Sequence, residues 1–193
     1  MPRPGVILDR DGTLIDIVRD EETGAISVAF HPDHVRLLPG TVEGLVALRD
    51  AGFVLSIATN QPAPAKGQFS AAAVERTNAA LVALLAKEGI TIAAVQTCMH
   101  HPQVSECACR KPKPGLLLDL VRDLDLDPAR SWMIGDTSSD IEAGRAAGIK
   151  TALVFAKNRC ELCPLRGGAD CVKPTPDVHA PTMKEIAARI LAG

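Results

Sequence analysis

Near the start of the chain, "GVILDRDGTLID" (residues 5–16) runs three aliphatic residues into two aspartates one residue apart. Asp9 follows "VIL" directly, so its carboxylate leaves a strand-like run at its carboxyl end. Asp11 follows next, and Gly12 lets the backbone turn. Two carboxylates this close repel each other unless a divalent cation neutralises them, and hard oxygen ligands favour Mg²⁺. Asp136, closing "WMIGD", is the natural third oxygen ligand. A metal-held carboxylate suits attack on phosphorus, with the second carboxyl as general acid and base. The competing reading of "DRDGT" alone is a surface turn, because Asp-Gly is a common turn dipeptide. Thr59 and Asn60, Lys111, and Gly135 with Asp136 fall on loops after other apolar runs, which favours the chemical reading. Thr59 offers a hydroxyl and Lys111 a point positive charge for phosphoryl oxygens. Asp140, one turn beyond Asp136, reads either as a support for that carboxylate or as an ordinary acid at a helix N-terminus.

A second constellation is "CMHHPQVSECACRKP". Cys98, His100, Cys107 and Cys109 supply three thiolates and an imidazole, the ligand set of a closed tetrahedral structural Zn²⁺ site. His101 is the alternative imidazole. Buried free thiols are the competing reading, but thiols bunched in a polar, Pro-containing loop are not a core pattern. The loop runs straight into Arg110 and Lys111. Farther on, Cys160, Cys163, Cys171 and His179 could form a second zinc site, though reduced cysteines in an irregular tail are the slightly favoured reading.

These residues need a frame. Apolar runs of strand length ("GVILD", "FVLSIATN", "ITIAAVQT", "SWMIGD", "KTALVF") alternate with amphipathic stretches of helix length. Helices are expected from Thr41 to Ala51 with Gly52 as the stop, and from a Ser70 cap through Lys87. Others are expected in "PGLLLDLVRDLDL", in "SSDIEAGRAAG" and in the terminal "APTMKEIAARILAG". Such alternation argues for an α/β protein with a Rossmann-like parallel sheet covered by helices on both faces. Ligands of such folds sit outside the carboxyl ends of the strands, where the residues above converge. With 193 residues, one domain is expected over 1–193, with 156–193 as a Cys-containing tail and helix.

Composition narrows the function. The formal net charge is -2 and aromatics make up 3% with no tyrosine, which speaks against nucleic acid as partner. No apolar run approaches the roughly 20 residues of a membrane span, and the N-terminus lacks a signal-type apolar region. A cytoplasmic, monomeric protein acting on a small molecule is the expectation. In that compartment the six cysteines read as ligands or thiols rather than disulfides.

The set "DRDGT", "ATNQ", "CRKP" and "GDTSSD" resembles the haloacid dehalogenase (HAD) phosphatase superfamily. Within it, the chain is most similar to the heptose 1,7-bisphosphate 7-phosphatases and the related histidinol-phosphatases, over about residues 5 to 155. The resemblance implies a HAD fold without a large cap domain and with a zinc-stapled loop. It also implies a Mg²⁺-dependent phosphomonoester hydrolase acting on a sugar phosphate. In these terms Asp9 is the nucleophile that forms an aspartyl-phosphate, and Asp11 protonates the leaving alkoxide and then activates water. Mg²⁺ is held by Asp9, the backbone carbonyl of Asp11, and Asp136. Thr59 and Lys111 steady the transferred phosphoryl group, Asn60 is a further substrate-binding residue, and Arg110 reads a distal phosphate. Four features depart from the pattern: the loop Pro62-Ala63-Pro64 where Ser-Gly usually follows "TNQ", Thr137 where a lysine is often found, a longer segment from 17 to 38, and, the largest, the Cys-containing tail. The segment from 17 to 38, with "ETG" as a hairpin turn between short strands, is either a specificity flap or a structural excursion. Histidinol phosphate as substrate would call for an acidic pocket, for which Asp20, Glu21 and Glu22 are the candidates; a non-catalytic phosphosugar-binding protein on the same fold would tolerate loss of Asp9 or Asp11, and neither is lost.

Overall fold

The computed structural model describes residues 1–19, 22, 24–155 and 175–193. The first strand, β1 (Gly5–Leu8), is buried throughout and leads into a small antiparallel pair, β2 (Val18–Arg19) and β3 (Ile26–Ser27). Helix α1 (Thr41–Asp50), strand β4 (Val54–Asn60), helix α2 (Ala71–Lys87) and strand β5 (Val95–Cys98) follow. Then come α3 (Gly115–Asp123), β6 (Trp132–Gly135), α4 (Ser138–Ala146), β7 (Lys150–Val154), β8 (Val178–Ala180) and α5 (Met183–Ala192).

Six strands make one sheet in the order β5-β4-β1-β6-β7-β8, every pairing parallel. The chain thus winds outward from β1 to one edge, returns, and winds outward to the other. The order reverses between β1 and β6, and the crevice outside their carboxyl ends is where such sheets bind ligands.

The helix boundaries follow local chemistry. Ser70 accepts the Ala73 N–H at 3.1 Å to cap α2, and the glycines after α1 and α2, Gly52 and Gly89, take positive φ as C-terminal stops. Strand residues alternate between two cores. Val6, Leu8, Leu55, Ile57, Trp132 and Ile134 pack with Leu45 and Leu48 of α1, Leu81 and Leu85 of α2, and Met183, Ile186 and Ile190 of α5. Ile7, Ala58 and Met133 face the other way, against Leu116, Leu117 and Leu120 of α3 and Ala143 of α4. Each such Leu or Ile contributes about 1.5–3 kcal/mol by leaving water, so the strand ends are anchored from both sides.

Two sequence expectations change. The third sheet strand, expected over "ITIAAVQT", keeps a ladder only over Val95–Cys98, because residues 90–94 approach the sheet edge irregularly, with the Ala93 N–H on the Leu55 carbonyl. Strand β8 was not expected at all: "VHA" has too few residues for its periodicity to be read. The two short strands expected in the 17–38 segment are present as an antiparallel pair, with Val18 opposite Ser27 and Arg19 opposite Ile26. Cys160, Cys163 and Cys171 of the second cysteine set, Asp20 and Glu21 of the candidate acidic pocket, and Thr23 of the expected turn lie outside the described residues.

Candidate active site

Asp9 leaves β1, Thr59 and Asn60 end β4, and Asp136 leaves β6. Together with Asp11, Lys111 and Asp140 they line one cavity of about 250 Å³ at the reversal point. At its centre is Lys111, 3% exposed. Its Nζ donates to Asp9 Oδ1 at 2.6 Å and to the Ala58 carbonyl at 2.7 Å, and pairs with Asp140 Oδ1 at 2.6 Å. Burial works against the ammonium, but Asp140 and Asp9 outweigh it and push its pKa up, so it stays charged.

The carboxylates are crowded. Ligand atoms of Asp9, Asp136 and Asp140 lie within 4.8 Å of one another. Burial pushes Asp9 up to about 6, with Lys111 opposing and Asp140 and Asp11 adding to it. Burial and the charges of Asp9 and Asp140 hold Asp136 well above the usual carboxylate range. Two glycines allow this crowding. Gly12 has φ 85°, and a Cβ there would stand 2.2 Å from Asp136 Oδ2. A Cβ on Gly135 would stand 2.3 Å from the Asp140 carboxyl carbon. Asp140 also caps α4, its Oδ2 accepting from the Thr137 hydroxyl at 2.6 Å and N–H at 3.1 Å. The two readings of Asp140 therefore meet in a third: it is a capping acid, and its other oxygen holds Lys111 rather than Asp136.

Asp11 lines the same cavity and is held by a hydrogen-bond network of its own. Its Oδ2 accepts from Arg10 Nε at 2.8 Å and Gln61 Nε2 at 2.7 Å, and its Oδ1 from the Ala29 N–H at 2.8 Å. Thr59 is 1% exposed, and its oxygen accepts a second Gln61 Nε2 bond at 2.9 Å, which leaves its O–H free to donate. The side-chain amide of Asn60 pairs with the main chain of Lys111 in both directions, at 2.9 and 3.1 Å. It thereby fixes where Lys111 emerges from its loop. Ile17, Ile26, Ser27 and Val28 from the 17–38 segment line the same cavity, so the hairpin roofs the carboxylates.

The Cys/His loop gathers a second group: Cys98, His100, Cys107 and Cys109, with ligand atoms within 4.8 Å of one another. Zn–S near 2.3 Å and Zn–N near 2.0–2.1 Å imply tetrahedral edges of roughly 3.5–3.8 Å. Cys98 Sγ lies 3.8 Å from Cys107 Sγ and 3.5 Å from His100 Nδ1, and His100 Nδ1 lies 3.2 Å from Cys109 Sγ. Three soft thiolates and an imidazole at these spacings fit Zn²⁺. Among the described residues His101 is outside the group; its Nδ1 accepts the Gln103 N–H at 3.2 Å. Arg110 is half-buried and is not part of the cavity lining, and its buried Nη1 has no hydrogen-bond partner among the described residues.

Sequence reasoning missed Arg10 and Gln61. Arg10 sits inside "DRDGT" and Gln61 ends "ATNQ", and neither is given a role by the sequence reading. No periodicity distinguishes a buried polar network from solvent-facing residues.

Comparison with known proteins agrees with this geometry. Residues 108–159 match the Hydrolase-like family, described as HAD-hydrolase-like. The D-glycero-β-D-manno-heptose-1,7-bisphosphate 7-phosphatase of Pasteurella multocida is 32% identical over 157 residues, covering 79% of this chain and 81% of that protein. The enzyme of the same name from Escherichia coli is 32% identical over 175 residues, covering 88% of this chain and 87% of that one. The crystal structure of D,D-heptose 1,7-bisphosphate phosphatase from B. bronchiseptica, complexed with magnesium and phosphate, superposes with a TM-score of 0.80 at 28% identity, covering 98% of each chain. No helix among the described residues is long and apolar enough to cross a membrane.

Proposed function

Because the chain belongs to the D-glycero-β-D-manno-heptose-1,7-bisphosphate 7-phosphatase family of HAD-type phosphatases, we propose that it removes the 7-phosphate of D-glycero-D-manno-heptose 1,7-bisphosphate through an aspartyl-phosphate on Asp9. The observation that carries this reading is Lys111 Nζ bridging Asp9 and Asp140, at 2.6 Å from each, in a cavity that also holds Asp136.

The donor set fits Mg²⁺. Burial and mutual repulsion disfavour the ionised forms of Asp9 and Asp136, and a hard divalent cation relieves both. Both Asp140 oxygens are engaged, by Lys111 and Thr137, which leaves Asp9 and Asp136 as the side-chain ligands, with the Asp11 carbonyl added by family resemblance. When bound, the ion neutralises phosphoryl oxygens facing these carboxylates.

The chain's own groups do the rest. Asp9 attacks phosphorus, the bond from phosphorus to the sugar oxygen breaks, and Asp11 gives that oxygen its proton. Asp11, now a carboxylate, takes a proton from water as the water oxygen attacks phosphorus, releasing phosphate and freeing Asp9. Lys111 and the Thr59 hydroxyl offer donors to the phosphoryl oxygens. Asn60 holds the Lys111 main chain in place for this. Cys98, His100, Cys107 and Cys109 would hold Zn²⁺, and that closed site would fix the chain entering Arg110 and Lys111. By family resemblance Arg110 reads the distal phosphate, the anionic end that histidinol phosphate lacks, and its planar guanidinium suits that task.

The test is kcat/KM on the heptose 1,7-bisphosphate against histidinol phosphate, for wild type and Arg110→Ala. The bisphosphate is expected to be the better substrate. Arg110→Ala should cost it roughly tenfold to a hundredfold, the scale of a lost charged hydrogen bond, with a much smaller loss on a monophosphate. Faster hydrolysis of histidinol phosphate would overturn the substrate assignment and leave the phosphatase chemistry standing.

A further inference from the structure

Arg10 stands between the two motif aspartates and is 0% exposed. Its guanidinium is fastened on three sides. Nε meets Asp11 Oδ2 at 2.8 Å, Nη1 meets Asn78 Oδ1 at 2.7 Å, and Nη2 meets the Ala29 carbonyl at 2.7 Å and Asp11 Oδ1 at 3.3 Å. Asn78 belongs to α2 and is held in turn by Thr97 Oγ1 of β5 at 3.1 Å. Ala29 follows the hairpin, and its N–H donates to Asp11. One side chain thus joins Asp11, the hairpin segment and the helical layer.

Stability alone is a poor reason for this arrangement. A buried ion pair is weak evidence for stabilisation, because apolar residues of similar volume often do as well or better. Gln61 makes the same point. It is 1% exposed and its Nε2 donates to both Asp11 and Thr59, yet its Oε1 is buried without a partner among the described residues. Leaving a buried acceptor unpaired is unfavourable. The amide is oriented to serve Asp11 at its own expense in hydrogen bonding.

We infer that Arg10 is a positioning residue that, with Gln61, aims Asp11 for proton transfer and fastens it to the hairpin roofing the substrate cavity. The inference rests on the reading of Asp11 as the general acid and base. When Asp11 gives its proton to the leaving oxygen, negative charge develops on a carboxyl already facing two fixed donors and the Ala29 N–H. No reorganisation is needed at that moment, which is how preorganised donors lower a barrier. The link to Ala29 makes the roof and the acid one unit. The stacking of Phe30, next in the chain, on Phe69 of the loop after β4, with ring centroids 3.9 Å apart, holds that unit against the frame.

Leaving-group dependence tests this. A simple alkyl phosphate needs its leaving oxygen protonated, whereas p-nitrophenyl phosphate releases a phenolate that does not. kcat/KM reports the steps through leaving-group departure, so later hydrolysis of the aspartyl-phosphate does not enter. Arg10→Lys and Gln61→Met should each lower kcat/KM on the alkyl phosphate roughly tenfold to a hundredfold, part of the 10²–10⁴ that general acid catalysis supplies. The loss on p-nitrophenyl phosphate should be at least about fivefold smaller. A merely structural role would lower both alike, since a loosened site binds and orients either ester less well, and that result overturns the inference. Asp11→Asn goes through the same comparison. If it too shows no leaving-group dependence, the general-acid reading fails and this inference falls with it. If Asp11→Asn shows the dependence and neither Arg10→Lys nor Gln61→Met does, only the role given to Arg10 and Gln61 is wrong. Should Arg10→Lys not fold, Gln61→Met, which keeps the volume and loses only the amide, decides the matter.

Discussion

The two clusters of metal-type ligands in this molecule are built in opposite ways. Asp9 and Asp136 leave adjacent parallel strands, and Asp140 sits in the first turn of α4, capped through Thr137. Two apolar cores fix those positions with or without an ion, and the consequence is repulsion: Asp9 is pushed up to about 6. The Cys/His cluster takes one ligand, Cys98, from the end of β5, and the other three from a stretch without helix or strand. There three thiols and an imidazole stand at spacings that suit one ion. A frame-held site can be charged, strained and open for chemistry. A loop-held site must close around its metal to be a site at all. The first should survive loss of its ion as a fold, and the second should not survive as a loop.

Breaking the frame-held site at its nucleophile has the largest expected effect. Asp9→Asn should abolish turnover, leaving less than a few per cent of wild-type kcat, with unchanged circular dichroism, because no covalent intermediate can form. Activity near wild type would remove Asp9 from the mechanism.

The loop-held site comes next. Protein purified without chelator should carry zinc, and Cys107→Ser or Cys109→Ser should lower that content. Activity should fall roughly tenfold to a hundredfold, as for other losses of a supporting shell, because Arg110 and Lys111 lose their fixed approach. Full zinc occupancy in a Cys98→Ser, Cys107→Ser double variant would contradict the ligand assignment. His100→Ala should lose metal, and His101→Ala should keep it.

The smallest effect sharpens the contrast. In the metal-free protein, Asp9 binds its proton more tightly folded, at about 6, than at its ordinary value of 3.8. Between those values the folded state holds more protons than the unfolded one, so this group's share of stability falls as pH rises. Mg²⁺ needs the ionised carboxylates, so it should raise Tm by a few degrees at about pH 7.5 and by much less at about pH 5. Equal shifts at both would mean that the ion does not bind through these groups.

How much of this was legible in sequence depended on what each feature costs locally. Apolar runs ending in Asp9, Asn60 and Asp136 are visible because a parallel strand buried on both faces must be apolar throughout. The strand order is not visible: nothing in "GVIL" or "WMIG" says that β1 and β6 lie side by side, although that adjacency creates the site. The Cys/His cluster was legible because thiols bunched in a polar loop are not a core pattern. Arg10 and Gln61 were not, because a polar residue carries no sign in the sequence of whether water or Asp11 receives its hydrogen bonds. Asp140 was half-legible: the sequence offered it as a capping acid, and only the fold brings Lys111 to its other oxygen.

The most direct measurement is to quench the enzyme acid-rapidly during turnover of a phosphate ester and to locate the bound phosphoryl group by peptide mass spectrometry. The account predicts one phosphoryl group on the peptide carrying Asp9, present during turnover, gone after substrate is exhausted and missing from Asp9→Asn. Turnover with no covalently bound phosphoryl group, or a label on any other residue, would contradict it.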